Sequence, residues 1–262
     1  MKPIYVAIGF LIAISGLFFV KNETLGTPIP IPKVIPDNKV IYVPKPAPEE
    51  ILPVITEVIP EIIEQIFPLP SAVMYAVPFV AQAPFGNWAD AEQNYGCEEA
   101  SLLMGVYWAR GDVLTPEIAL REIKAMSKFE KDKYGAFHDT SLNDTFDLLK
   151  SYLGHEDAYL QYDIESEDIK RALADGSVVV IPIDGTSVNN IYYTPPGPFR
   201  HQIIVIGYDD STQEFITHDP GTMHGGNYRY GYKTIEDSLM DYPTGFNEPV
   251  NEVRSGMIVI KR

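Results

Sequence analysis

The residues best suited to covalent chemistry are one cysteine and a later histidine and aspartate, each standing where an element of regular structure should begin or end. Cys97 is the only cysteine in 262 residues, and it opens the run Cys97-Glu98-Glu99-Ala100-Ser101-Leu102-Leu103-Met104. A thiol in the first turn of a helix meets unpaired backbone amides and the positive end of the dipole, which favour thiolate. Glu98 and Glu99 oppose this, because carboxylates beside a sulfur raise its pKa. A thiol nucleophile also needs a base, and the base needs an orienting group. His201 heads the apolar run that ends at Tyr208, and Asp219 directly follows Glu214-Phe215-Ile216-Thr217-His218. If the two runs pair through the turn residues Asp209-Asp210-Ser211, the chain returns close to its starting level. Facing Cβ atoms are then about 4.5–5.5 Å apart, so a hydrogen bond between His201 and Asp219 is within reach. His218 would point to the opposite face. Each of these residues also has a structural reading: a buried free cysteine, a strand-edge histidine, an Asp-Pro-Gly turn.

The remaining histidines offer less. His138 and His155 sit in polar, loop-like contexts and His224 among glycines. Cys97, His218, Asp219 and His224 lack the tight spacing of a metal site, so neither metal nor cofactor is expected.

The elements that must position these groups can be read from caps and apolar runs. Residues Cys97 to Arg110 leave almost no polar face, which predicts a buried helix, and Gly111 supplies its left-handed stop. Thr115 caps a second helix with Pro116 at its first position, running towards Met126. Ser141 with Asp144 resembles a capping box before Phe146, Leu148 and Leu149. Ser166 opens a short helix that ends at Gly176. The character then changes. Val178–Ile183 reads as a buried strand, His201–Tyr208 as a second, Glu214–His218 as its hairpin partner and Met257–Ile260 as the last. An apolar, strand-like entry at Tyr75–Gln82 precedes them all. Gly225–Tyr232, rich in glycine and tyrosine, suits a cleft wall or a half-exposed strand. Helices first and strands later predict an α+β domain, with an antiparallel sheet packed on a helical half.

Composition narrows the partners. There are 36 acidic and 20 basic side chains, a net charge of −16, and no basic patch, so nucleic acid is not an expected partner. A single cysteine makes no internal disulfide, leaving core packing to hold the fold. Pro3–Val20 is an uncharged, mainly apolar stretch between Lys2 and Lys21, at the lower limit for a spanning helix. The bulky residues at its end, Leu17-Phe18-Phe19-Val20, argue for an uncleaved anchor, with a cleaved signal as the alternative. The charge bias places the rest of the chain outside. From Asn22 to Met74 prolines accumulate, with Pro28, Pro30 and Pro32 and then Pro44, Pro46 and Pro48 at every second position. Such chain is extended and could hold a domain up to roughly 150 Å from the membrane, at about 3.1 Å per residue. The expected organisation is therefore a membrane segment at 1–21, a proline-rich linker at 22–74 and a catalytic domain at 75–262.

The ordered set Val77-Pro78-Phe79-x-x-Gln82, Gly96-Cys97-x-x-Ala100-Ser101-Leu102-Leu103-Met104, His201-x-x-x-Val205-x-Gly207-Tyr208-Asp209 and His218-Asp219-Pro220-Gly221 resembles the papain-fold cysteine peptidases related to the leader peptidases of bacteriocin exporters. The resemblance spans about 75–262 and concerns the peptidase domain without the transporter. It implies Cys97 as nucleophile on a central helix, His201 as general base and acid, and Asp219 as its orienter. It also implies a glutamine whose amide completes the oxyanion hole: Gln82 by context, with Gln93 as the rival because the spacing from Gln82 to Cys97 is long. The family usually has a small residue after the cysteine, where this chain has Glu98. The function expected is a membrane-anchored, extracytoplasmic thiol hydrolase acting on a peptide or amide bond. The alternative is a catalytically silent domain of the same fold that binds peptides or cell-wall material.

Overall fold

A computed structural model of the chain describes residues 68–262, so the expected membrane segment and nearly all of the linker lie outside the described residues. Among the described residues seven strands form one antiparallel sheet: β1 (Ala72–Met74), β2 (Ala158–Tyr162), β3 (Val178–Ile183), β4 (His201–Asp209), β5 (Glu214–His218), β6 (Tyr228–Gly231) and β7 (Gly256–Ile260). The spatial order is β2-β7-β3-β4-β5-β6, and β1 pairs with β4. The helices are α1 (Ala91–Asn94), α2 (Cys97–Arg110), α3 (Pro116–Tyr134), α4 (Leu142–Ser151), α5 (Ser166–Ala174) and α6 (Tyr232–Ser238).

The α+β expectation holds, and the central strands explain how. Every residue of β3 is buried, which strict alternation would not allow unless both faces are covered. Val178 and Val180 join Ile204, Ile206, Ile258 and Ile260 in a core with Leu102, Leu103, Val106, Ile123 and Leu148. Val179 and Ile181 turn the other way, to Ile203, Val205, Ile169, Leu173 and Ile235. Helices α2, α3 and α4 thus cover one face, while α5 and α6 cover the other.

Helix α2 lies directly on the sheet. A methyl group on Gly105 would stand 2.6 Å from Cδ1 of Ile260 and 3.2 Å from Cδ1 of Ile204, so only glycine lets the helix approach so closely. Gly111 ends it in the left-handed conformation, φ 72°. Thr115 and Ser141 cap the next two helices through bonds to the amides of Ile118 and Asp144.

Several elements differ from the sequence reading. Helix α3 continues past Met126 to Tyr134, because it keeps an exposed charged face (Lys128, Lys131, Asp132) while burying Ser127 and Glu130. The strand-like entry at Tyr75–Gln82 makes isolated bonds rather than a ladder, among them Tyr75 N–H to Ile206 O and Gln82 N–H to Pro220 O. Pro78 has no N–H to offer a ladder. The strand lies just before it, at Ala72–Met74, on the linker side of the boundary expected at residue 75, and its hydrogen bonds make it part of the sheet. It takes up the end of β4 beyond β3, where Met74 faces Gly207; a Cβ on Gly207 would lie only 2.2 Å from Val73 O. Strand β2 and the short helices α1 and α6 complete the set.

Candidate active site

Helix α2 presents Cys97 as its first residue, with Gly96 before it. A Cβ on Gly96 would lie 2.9 Å from Ile123 Cγ2 and 3.0 Å from Glu92 O, so the approach to the cysteine is packed tightly against α3. The sulfur is buried, and its hydrogen bond goes to the neighbouring carboxyl: Sγ donates to Oε2 of Glu98 at 3.0 Å. Burial first, and then the charge of Glu98, push the thiol well above its usual range, opposed by the backbone of Gln202. The helix terminus does not overcome these effects. Glu98 and Glu99 are buried too, and burial pushes them up to about 8 and about 7.

Strand β4 carries His201 and strand β5 leads into Asp219. A bulge between Val205 and Gly207 sets the register so that Ile204 faces His218. Continued one step, that register places Asp219 opposite Ile203, on the same face as His201 and diagonal to it. The side chains meet there, with Nε2 of His201 donating to Oδ1 of Asp219 at 2.8 Å. Asp219 has no exposed surface. Gly221 N–H adds a bond to Oδ1 at 3.0 Å, while Oδ2 accepts from Tyr193 OH at 2.5 Å, Tyr230 OH at 2.6 Å and Asn190 Nδ2 at 3.1 Å. Burial would raise this carboxyl, but the ring of His201 and the tyrosine hydroxyls outweigh it and hold Asp219 below the usual carboxylate range. An ionised Asp219 fixes the hydrogen on Nε2 and leaves Nδ1 as the ring's basic nitrogen.

Cys97 and His201 line one open cleft of about 860 Å³. No hydrogen bond joins Sγ to the His201 ring. The helix and strand that carry them are tied nearby: Ser101 Oγ on α2 donates to Gln202 O of β4 at 3.2 Å. Gln82 also lines the cleft, with its amide donated to Asn94 O at 2.6 Å. Gln93 does not line it. That side chain is tied to Asp90 at 2.8 Å, inside the packing between α1 and α3. The lining mixes aromatic and apolar side chains, Trp88, Tyr192, Phe199, Met223 and Phe246, with polar ones such as Asn94, Asn247 and Glu248.

The other histidines have other partners. His218 takes the opposite face: its Nδ1 accepts from Asn227 N–H at 3.0 Å and its Nε2 donates to Val77 O at 2.9 Å. Burial pushes it below its ordinary pKa, as befits a neutral strut between β5 and the 75–82 segment. His138 stacks on Phe137 and His224 on Tyr192. Among the described residues no three His, Cys, Asp or Glu side chains gather as metal ligands.

Several residues of this site gave no signal in the sequence. Tyr193 and Asn190 come from the loop before β4 and Tyr230 from β6, and nothing in their local pattern marks them as partners of Asp219. Gly221 was legible only as a turn residue. A Cβ there would sit 2.9 Å from Cε1 of His201 and 3.2 Å from Oδ1 of Asp219, so glycine is what lets the turn pass beside the pair. Glu98 was legible as an opposing charge, but not as the thiol's hydrogen-bond partner.

Comparison with curated proteins finds no match. Among solved structures, the chain is similar to a Bacillus anthracis protein that bears the name C39-like peptidase, at 16% identity and a TM-score of 0.42 over 74% of this chain and 99% of that one. It is also similar to xylellain, a cysteine protease from Xylella fastidiosa, at 14% identity and a TM-score of 0.45 over 74% of this chain and 86% of that one. The model of the Peptidase_C39 like family matches residues 74–244. That span holds Cys97, His201, Asp219 and both glutamines and is well over half of the chain, which therefore belongs to the Peptidase_C39 like family.

Proposed function

We propose that this chain is a thiol hydrolase, anchored on the outer side of a membrane, that cleaves a peptide or amide bond through an acyl-enzyme on Cys97. The observation that carries this reading is the His201–Asp219 pair. A ring bonded through Nε2 to a buried carboxylate at 2.8 Å keeps its Nδ1 basic, on the wall of the cleft that Cys97 also lines.

In this reading Nδ1 takes the thiol proton and the thiolate attacks the substrate carbonyl. Asp219 supports the imidazolium and does not itself take the proton. The developing oxyanion receives the side-chain amide of Gln82 and the unpaired amides at the start of α2. The imidazolium then protonates the departing amine, and a water activated by Nδ1 releases the acyl group. The aromatic part of the lining suits an unfolded peptide with apolar side chains. The apolar segment Pro3–Val20 supports a membrane location. Among the described residues no helix is long and apolar enough to cross a membrane.

A second reading, a silent peptide- or cell-wall-binding domain, is favoured by the sulfur's bond to Glu98 and its raised pKa. A p-nitrophenyl ester of an N-acylated phenylalanine separates the two. The hydrolase should release a burst of nitrophenolate equal to the protein present and carry the acyl mass on Cys97, and Cys97→Ala should abolish both. A wild-type protein with no adduct on Cys97 between pH 5 and 8 would leave the binding domain as the better description.

A further inference from the structure

Glu98 takes no part in the steps above, yet its surroundings decide which of its oxygens can carry a proton. It is 1% exposed. Its Oε1 accepts from Thr140 N–H at 3.1 Å and from Tyr242 OH at 2.9 Å. Two donors fill the two lone pairs of that oxygen. Oε2 hydrogen-bonds Sγ of Cys97 at 3.0 Å. With Tyr242 donating in this way, a neutral Glu98 holds its hydrogen on Oε2, aimed at the sulfur.

The charged and titratable neighbours favour that neutral form. Cys97 and Glu99 flank Glu98 on α2, Glu130 faces the group from α3, and Tyr242 comes from the segment after α6. Asp139 approaches from the loop before α4 and is paired with Arg200 at 2.8 Å. Burial and the charges of Glu99 and Asp139 push Glu98 to about 8.

On the reading of Cys97 as nucleophile, we infer that Glu98 is a second catalytic residue whose neutral carboxyl donates its Oε2–H to the Cys97 sulfur and supports the thiolate. The proton balance is simple. The Sγ–H bond breaks and an N–H bond forms on Nδ1 of His201, while the hydrogen of Glu98 stays on Oε2 and turns from spectator to donor as the sulfur becomes negative. Ionised Glu98 does the reverse, placing a negative oxygen against the sulfur and holding the proton on the thiol. One carboxyl thus sets the alkaline limit of the nucleophile.

The test is the rate of iodoacetamide alkylation from pH 5 to 9.5 on the full chain, where Cys97 is the only thiol. Glu98→Gln retains a neutral donor, since its carbonyl must face Thr140 and Tyr242 and its NH2 the sulfur. It should match wild type at pH 6 and exceed it about tenfold at pH 8.5, where Glu98 of the wild type is ionised. Glu98→Ala removes the donor and should react about tenfold more slowly than wild type at pH 6. Should the alanine variant fail to fold, Tyr242→Phe frees one lone pair of Oε1 and should slow alkylation at pH 6 by about two- to threefold. A glutamine variant as slow as the alanine variant, a glutamine variant with the wild-type pH profile, or an unchanged Tyr242→Phe would each overturn the inference. The expected alkylation pattern with no acyl adduct from the phenylalanine ester would support the hydrogen bond and sink the hydrolase reading alone.

Discussion

Asp219→Asn is the most informative single substitution, because the environment of this carboxylate dictates how an amide can replace it. Oδ1 accepts from the backbone N–H of Gly221, which cannot become an acceptor, and from the ring of His201, whose Nε2 stays a donor as long as that oxygen faces it. Oδ2 accepts from two hydroxyls that can rotate, Tyr193 and Tyr230, and from the amide of Asn190. The new NH2 is therefore forced to the Oδ2 side, where both tyrosines can turn to accept it. The carbonyl stays against Nε2–H, and the tautomer of His201 survives. What is lost is charge: a bond to an ionised acceptor contributes about 1.5–3 kcal/mol and one to a neutral acceptor about 0.5–1.5. The difference of roughly 1–2 kcal/mol should slow acylation about 5- to 30-fold. One hydrogen of Asn190 loses its acceptor, which should cost about 1–3 kcal/mol of stability. Asp219→Ala instead strands the ring and both hydroxyls and should slow acylation by about a thousandfold or more. The assay is the nitrophenolate burst rate beside urea denaturation of each variant. An asparagine variant no faster than the alanine variant would refute the geometry, since it would mean that Oδ1 does not hold the ring. An alanine variant with near-wild-type rate would reduce Asp219 to a turn-holding residue.

Two further expectations concern different parts of the site. Glu99 and Glu130 are buried, and Oε2 of each has no hydrogen-bond partner, an arrangement that a proton shared between them would satisfy; burial pushes Glu99 up to about 7 and Glu130 well above its usual 4.5. A carboxyl raised in the folded state contributes stability that is complete below its unfolded pKa and lost as pH rises through the folded one. The urea midpoint should thus fall between pH 5 and 8.5, by roughly 3 kcal/mol for Glu99 alone, and Glu130→Gln should flatten the fall. His218, which is lowered by burial, acts only below its unfolded value of 6.5 and in the opposite sense, and Glu98, pushed up to about 8, adds to the fall in both proteins, so a Glu130→Gln variant that falls as steeply as wild type would disprove the shared proton. Gly221→Ala should leave the fold intact but reduce the burst at least tenfold, because its Cβ would press on His201 at 2.9 Å; a normal burst from that variant would show that the pair tolerates displacement.

What the sequence by itself determined is the local part. The nucleophile helix from Cys97 to Gly111, the caps at Thr115 and Ser141 and strands β3, β4, β5 and β7 follow from apolar runs bounded by residues with one conformational preference. The pairing of His201 with Asp219 was legible because a hairpin joins their strands and turn chemistry fixes where it returns. What only the tertiary structure decided is everything that depends on chain segments meeting from afar. Gln82 reaches the cleft and Gln93 does not, because α1 folds the latter against Asp90. Asp219 can remain ionised without solvent because Asn190, Tyr193 and Tyr230 arrive from two other segments to solvate it. Glu98 and Glu99 read from sequence as charges that suit a helix N-terminus. Once Thr140, Ser127 and Tyr242 close over them, desolvation exceeds the pull of the helix dipole, and the same two residues become acids next to the thiol. A helix dipole and a cap act within one turn, so sequence carries them; desolvation is set by whatever packs on top, and only the folded chain supplies that.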